Sequence, residues 1–248
     1  MVSPLNPDEV TKALLPINRE NLKGQIVSQI KALIFSNKIQ VGQKLPSERT
    51  LSSQFKVSRV VVREALKSLE QSGLVEIRTG AAGGAFAVSD LHIPFFYAVY
   101  DLMELGRLTG PHFWEFGEVI ECAGARLAAR NAAAEEIEQL RALNRKLMEE
   151  GKDPDRLLQN NREFHLAVAQ ASGNPLIRLT VHSLFKMHDI LNHKIGYPTR
   201  LAKEIHRRHE AIIDAVEAHD ADGCVQLMAA DAKKHEKLMA AYTKERKL

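Results

Sequence analysis

Two serines, Ser47 and Ser58, constrain this chain more than any other feature. They sit in the runs Gly42-Gln-Lys-Leu-Pro-Ser-Glu-Arg49 and Val57-Ser-Arg-Val-Val-Val-Arg-Glu-Ala-Leu66. Each stands just before residues at helical spacing: Leu51 and Phe55 after the first, Val62, Ala65, Leu66 and Leu69 after the second. A serine there accepts a hydrogen bond from an otherwise unpaired backbone N–H, so each predicts a helix start. Only Lys56 and Val57 separate the two helices, which forces a tight turn between them. Gly73 closes the second helix in the position after its C-cap. The pattern then changes period. Leu74–Arg78 predicts a strand with Val75 and Ile77 on one face, Thr79–Gly84 a turn, and Ala85–Val88 a returning strand. Upstream, Leu22, Ile26, Ile30, Leu33 and Ile34 predict a further helix that stops before Val41-Gly42. Residues 1–20 read as a loose arm. Three helices and then a β-hairpin make a winged helix-turn-helix over residues 21–90.

In such a module the third helix suits the DNA major groove and the hairpin suits a neighbouring groove or the backbone. Ser58, Arg59 and Arg63 lie at the start of that helix, and Arg49 at the start of the one before. Each arginine can pair with phosphate or with the O6/N7 edge of guanine. Val60 and Val61 can touch thymine methyl groups. The blander alternative is a solvated arginine face. Residues 1–90 hold twelve Lys and Arg against eight Asp and Glu, within a net charge of +3 for the whole chain. That asymmetry permits nucleic-acid binding without proving it.

A chain of 248 residues with 45% hydrophobic content has room for a second domain with its own core. Cys122 and Cys224 are too few for a disulfide framework and suit a reducing compartment. No apolar run approaches the ~18 residues of a membrane span, and the N-terminus lacks the basic-then-apolar order of a signal peptide. The expectation is a cytoplasmic, nucleoid-associated protein. Pro94 marks a boundary. Beyond it the helical period recurs over about 95–108, 112–131, 134–150, 154–172, 175–194, 199–219 and 221–245, with breaks at Gly110-Pro111, Gly151, Gly173-Asn174-Pro175 and Gly196-Tyr197-Pro198. No strand pattern appears. The expected fold class is mainly α: the winged module, then an all-α antiparallel helical bundle over residues 95–245.

Some stripes of that bundle carry polar residues. Leu157, Leu158, Asn161, Phe164, His165 and Val168 share one face, and Leu201, Ile205, His209, Ile212 and Val216 another. Cys224, Leu227, Met228, Asp231, His235 and Leu238 form a third. An unpaired buried polar group costs about 1–3 kcal/mol. Three helices accepting that cost predict that the groups meet one another or a ligand. Two imidazoles, a carboxylate and an amide oxygen suit a divalent cation of the zinc type; a closed hydrogen-bond network without metal is the alternative. His182, His188, His193, His206 and His219 read as ordinary satisfied histidines.

The order Gly-x-x-Leu-Pro-Ser-Glu-Arg, Val-Ser-Arg-x-x-Val-Arg-Glu-Ala-Leu, Leu-Glu-x-x-Gly-Leu-Val and a Gly-rich wing, over about residues 22–89, resembles the DNA-binding domain of the GntR family of bacterial transcription regulators. The resemblance implies DNA contacts at Arg49, Ser58, Arg59, Val60, Val61 and Arg63, with Thr79 and Gly80 at the tip of the wing. Many relatives carry hydroxyl-bearing residues at positions 60 and 61, so the valines imply a different base preference. Glu-Phe-Gly-Glu-Val-Ile-Glu-x-x-Gly-Ala-Arg-Leu-Ala-Ala at 115–129, Asn-Arg-Glu-Phe-His at 161–165, Gly-Asn-Pro at 173–175 and His-Glu-Ala-Ile-Ile-Asp-Ala-Val at 209–216 resemble the FCD ligand-binding domain of the FadR subfamily. In its metal-binding members the ligands are commonly Asp and His four apart on one helix and two His on later helices. Those positions fall on Asn161, His165, His209 and Asp231, with His235 as a substitute and zinc or nickel as the implied metal. Asn161 stands where Asp is common, and Asp231 where the last His is common. Where many relatives carry an arginine one turn before the residue that here is Glu121, this chain has Gly117. That implies a larger or less anionic effector, or charge supplied by Arg162 or Lys186.

The resemblance implies a ligand-responsive transcription regulator acting on double-stranded DNA, commonly a repressor of a catabolic operon, relieved by a small organic acid at a metal-containing site. A homodimer is expected, because one recognition helix reads too few base pairs. One alternative is a metal-free regulator responding to an acyl-CoA or aromatic thioester. Another is a metal-dependent hydrolase or lyase built on His165, His209 and Asp231. The chain has no HExxH, no Walker loop and no nucleotide fingerprint, so no enzymatic activity is expected.

Overall fold

A computed structural model describes residues 6–14, 21–80, 82–89, 92–191 and 198–245. The chain divides into two compact units, Met1–Phe95 and Phe96–Leu248.

The first unit opens with a helix, α1 (Pro7–Ala13), where the sequence reads as a loose arm. Asn6 accepts from the N–H groups of Asp8 and Glu9, and Glu9 reaches back to the N–H of Asn6, which closes a capping box around a seven-residue helix. Leu14, at its end, is buried in the unit's core, and its carbonyl accepts from Gln54 Nε2 at 2.8 Å. One leucine fixes the segment, and a single apolar residue carries no period for a pattern search to find. Next come α2 (Leu22–Phe35), α3 (Glu48–Phe55) and α4 (Arg59–Gln71). Ile26 and Ile30 of α2, Leu51 and Phe55 of α3, and Val62, Ala65, Leu66 and Leu69 of α4 form the common core. Ser47 accepts from the N–H of Thr50 and Ser58 from that of Val61, as their positions predict. α2 ends several residues before Gly42, because Asn37 turns the chain with φ of 56° and sends Ile39 into the core.

Strands β1 (Val75–Arg78) and β2 (Gly84–Ala87) pair antiparallel, Val75 opposite Ala87 and Arg78 opposite Gly84. Val75 is buried but Ile77 is exposed, so the two do not share a covered face. The hairpin outruns the core: Val75 lies over α4, while Ile77, one repeat further out, has only its backbone tied back, its N–H donating to Glu70 of α4 at 3.0 Å. The turn requires glycine. A Cβ on Gly83 would stand 2.4 Å from the carbonyl oxygen of Arg78, and Gly80 has φ of +95°.

The second unit contains α5 (His92–Glu104), α6 (Gly110–Asn131), α7 (Ala134–Glu150), α8 (Pro154–Ala171), α9 (Pro175–Leu191), a 3-10 turn (Thr199–Leu201), α10 (Ala202–Glu217) and α11 (Ala221–Glu245). Pro94 does not precede α5 but lies in its first turn, where a missing N–H breaks no helical hydrogen bond. α6 packs on α8, α9 and α11, and α7 on α8 and α10. Small residues allow the close approach. Ala125, Ala128 and Ala129 of α6 are fully buried, and a Cβ on Gly124 would meet Ile177 at 3.2 Å. Phe164, Ile212, Val216, Cys224 and Met228 fill the same core. No helix among the described residues is long and apolar enough to cross a membrane.

The anchoring of α1 is testable. Leu14→Ala removes a fully buried side chain and is expected to destabilise the first unit by about 2–3 kcal/mol. The sole tryptophan, Trp114, lies in the second unit. Urea unfolding followed by circular dichroism should therefore show an early transition that Trp114 fluorescence does not.

Candidate functional site

Two groups of side chains stand out, one in each unit. On the first unit, α4 presents Arg59 and Arg63 outward, with Val60 between them 68% exposed. Arg49 is exposed at the start of α3, and Thr79 and Gly80 at the tip of the hairpin. Val61 differs from its neighbours: it is half-buried and packs on the core, so it is not freely presented as Val60 is. The Ser58 hydroxyl caps α4. The hairpin and the segment bridged to it carry cations that sequence reasoning missed. Arg78 stacks over Phe86 at 4.3 Å and bonds Glu76, and Lys44 lies 5.6 Å from the same ring. The signal was legible as a basic residue beside an aromatic on paired strands, but it needed the register.

The second group is buried. α8 supplies His165, α10 His209 and Arg208, α11 Asp231, and α6 Glu121. His165 places Nδ1 2.9 Å from Glu121 Oε2 and Nε2 3.4 Å from Asp231 Oδ2. Arg208 donates from Nε to Asp231 Oδ1 at 2.5 Å and from Nη1 to Glu204 at 3.0 Å; Lys234 reaches Glu204 as well. His209 stacks flat on Phe164, ring centres 3.7 Å apart, and both its ring nitrogens are buried with no hydrogen-bond partner.

These surroundings fix the charges. Burial opposes a charged His165, but the Glu121 carboxylate, backed by Asp231, outweighs it and lifts the ring to about 10. Burial likewise opposes a charged Asp231, and His165, backed by Arg208, holds it far below the usual carboxylate range. At His209 burial outweighs the pull of Asp231, and the ring is pushed well below the ordinary histidine value and stays neutral. Burial also lowers His235, to about 4. The result is an alternating chain of charges, Glu121, His165, Asp231, Arg208, with a neutral imidazole beside it.

One donor atom from each of His165, His209 and Asp231 can be chosen so that all lie within 4.8 Å of one another. A cation would satisfy one of the two partnerless nitrogens of His209, so the donor set fits a divalent metal once His165 gives up its proton. Asn161 lines the adjoining cavity, as do Gly117, Glu118, Glu121, Trp114 and His235. The cavity has a volume of about 30 Å³, room for a water or two. Gly117 does open room: a Cβ there would meet only Leu184, at 4.0 Å. Arg162 and Lys186 do not line the cavity, contrary to expectation. Arg162 lies one position past Asn161 on α8, and Lys186 is exposed on α9. The cation closest to the cluster is Arg208, which sequence reasoning missed because it stands beside His209 rather than on its stripe. His206 and His219 are satisfied by the carbonyls of Asn144 and Ala129, and His182 also has a partner. The His188 side chain and His193 fall outside the described residues.

Residues 22–83 match the family described as bacterial regulatory proteins, gntR family, and residues 113–233 match the FCD domain. An Escherichia coli K12 protein, provisionally described as an L-lactate dehydrogenase operon regulatory protein, is 30% identical over 225 residues, covering 84% of this chain and 83% of that one. The transcriptional repressor NanR of Enterobacter sp. strain 638 is 28% identical over 212 residues, covering 84% and 81%. Among solved structures, Streptococcus agalactiae GntR has the same fold, with a TM-score of 0.63 at 22% identity over 87% of this chain and 99% of that one.

The buried charge chain makes its own prediction. Arg208→Ala leaves Asp231 with one partner instead of two and is expected to destabilise the second unit by about 3 kcal/mol. Urea unfolding followed by Trp114 fluorescence measures it. An unchanged midpoint would mean that the Arg208–Asp231 pair contributes nothing to folding.

Proposed function

Because this chain belongs to the GntR family of bacterial regulatory proteins and carries an FCD domain, we propose that it is a homodimeric repressor of the FadR subfamily whose grip on a two-fold operator is set by a small organic acid. It is a ligand-responsive transcription regulator, with DNA binding in the helix-turn-helix and effector binding in the FCD domain. The relatives matched are transcription regulators, not enzymes.

Within the proposal, residues 21–90 bind DNA through Arg49, Ser58, Arg59, Val60 and Arg63, with Thr79 and Gly80 on the backbone or minor groove. Val61 supports α4 from beneath. Residues 95–245 bind the effector and form the dimer. The observation that carries the effector site is His209: a buried imidazole with both nitrogens unpartnered, within reach of His165 and Asp231. These three would hold a divalent metal such as zinc or nickel, with Asn161 and His235 at the wall of the same cavity. Bound there, a metal supplies coordination positions for carboxylate and hydroxyl oxygens. That matters for an acid, because among the described residues no Lys or Arg lines the cavity while Glu118, Glu121 and Asp231 do. Phe113, Trp114 and Phe185 shield the effector's apolar part from water. A regulator of an L-lactate dehydrogenase operon among the relatives favours a small hydroxy acid, and a named repressor favours repression.

The switch follows from what the cluster joins. Glu121, His165, Arg208 and Asp231 come from four helices, so filling the site shifts the balance between arrangements of α6, α8, α10 and α11. Moving a two-state balance from 1:99 to 99:1 takes about 5.5 kcal/mol of differential binding.

Three outcomes are expected. Arg59→Ala should abolish operator-specific binding in a gel-shift assay while circular dichroism stays unchanged; retained specificity would remove α4 from the interface. Elemental analysis of chelator-free protein should find zinc or nickel near one per chain. His209→Ala should eliminate it, together with the rise in thermal midpoint that added metal gives. Wild-type protein that takes up no metal would return the site to a closed ionic network.

A further inference from the structure

Glu48 opens α3 with its carboxylate turned toward α4. Arg63 donates to it from Nε at 3.0 Å and from Nη2 at 2.9 Å, and Arg59 brings its own Nη2 to 3.5 Å from the same Oε2. The two arginines are four residues apart, so they share one face of α4. The mount is rigid: the Ser47 cap fixes the first turn of α3, and Leu51, one turn on, is fully buried. The Arg63 hydrogen bonds, reinforced by the charges of Arg63 and Arg59, hold Glu48 below its ordinary value, so it stays ionised at neutral pH.

A guanidinium is planar and offers two edges that can each make a paired hydrogen bond. In Arg63 the Nε–Nη2 edge is committed to Glu48. The edge that remains for DNA is Nη1–Nη2, which matches the O6/N7 pair of guanine. An unrestrained arginine would swing to a phosphate, which every sequence offers alike.

We propose that Glu48 sets sequence specificity without touching DNA: by clamping Arg63, and Arg59 through the shared oxygen, it turns the arginines of α4 from phosphate binders into base readers. Glu48 is thus a positioning residue. The inference rests on α4 being the DNA-facing helix.

The test uses the full chain and two duplexes. One is the duplex that the wild-type chain recovers from a pool with a randomised centre; the other is its scramble. Glu48→Gln is expected to lower the affinity ratio between them by about tenfold or more. It should hold or strengthen binding to the scramble. It should also steepen the salt dependence by about one unit as Arg63 moves to a phosphate. Glu48→Asp keeps the charge but withdraws the fork, so it should lose discrimination without tightening on the scramble. An unchanged ratio in both variants overturns the inference. Equal tightening of Glu48→Gln on both duplexes also overturns it, since Glu48 would then be only a repelling charge. Arg59→Ala and Arg63→Ala separate this from the reading beneath it. Full discrimination in both would remove α4 from the interface. Lost discrimination in them, with Glu48→Gln intact, defeats the role of Glu48 alone.

Discussion

An ionised carboxylate cannot sit alone inside a helical bundle, and Asp231 makes that constraint the organising fact of the second unit. It is almost fully buried on α11, and its charge persists because Arg208 of α10 and His165 of α8 stand on either side. His165 is in turn held by Glu121 of α6. Four helices are thereby tied through one alternating series of charges. Desolvating any member alone would cost several kcal/mol, so the helices keep their relative placing or lose the series together.

The same arrangement leaves one group unserved. His209 is packed flat on Phe164 and surrounded by the series, yet makes no hydrogen bond within it. A phenylalanine there would pack as well and carry no unpaired nitrogens. A buried polar group with no partner is a stored cost of about 1–3 kcal/mol that a ligand relieves. That is why the bundle reads as a receptor rather than a scaffold. The lining adds a chemical condition. Among the described residues its wall carries three carboxylates and no Lys or Arg, a lining that attracts a cation and repels an anion.

At the other end of the chain the problem is inverted. The arginines of α4 are exposed and long, and their difficulty is too much freedom. Glu48 supplies the restraint from the neighbouring helix, in the way that Asp231 is restrained from α8 and α10. In both units a carboxylate and a guanidinium on different helices decide where the useful groups point.

The amino-acid sequence by itself determined the order and kind of nearly every element. Capping serines, glycines after helix ends and the switch from a helical to an alternating period are local rules, obeyed by a few neighbouring residues whatever lies beyond them. It also determined which polar residues lie on buried stripes, since His165, His209 and Asp231 follow the helical repeat. What it did not carry was anything set by one contact at long range. Leu14 turns an expected arm into a docked helix. Ile77 is exposed because the hairpin outruns the core, and Val61 is half-buried beside an exposed Val60. Arg208, beside its stripe rather than on it, and Glu48 acquire their roles from partners 23 and 15 residues away. Periodicity reports which face of a helix turns inward. Only the tertiary structure decides which charge meets which, because a salt bridge depends on how two helices are placed and leaves no repeat in either.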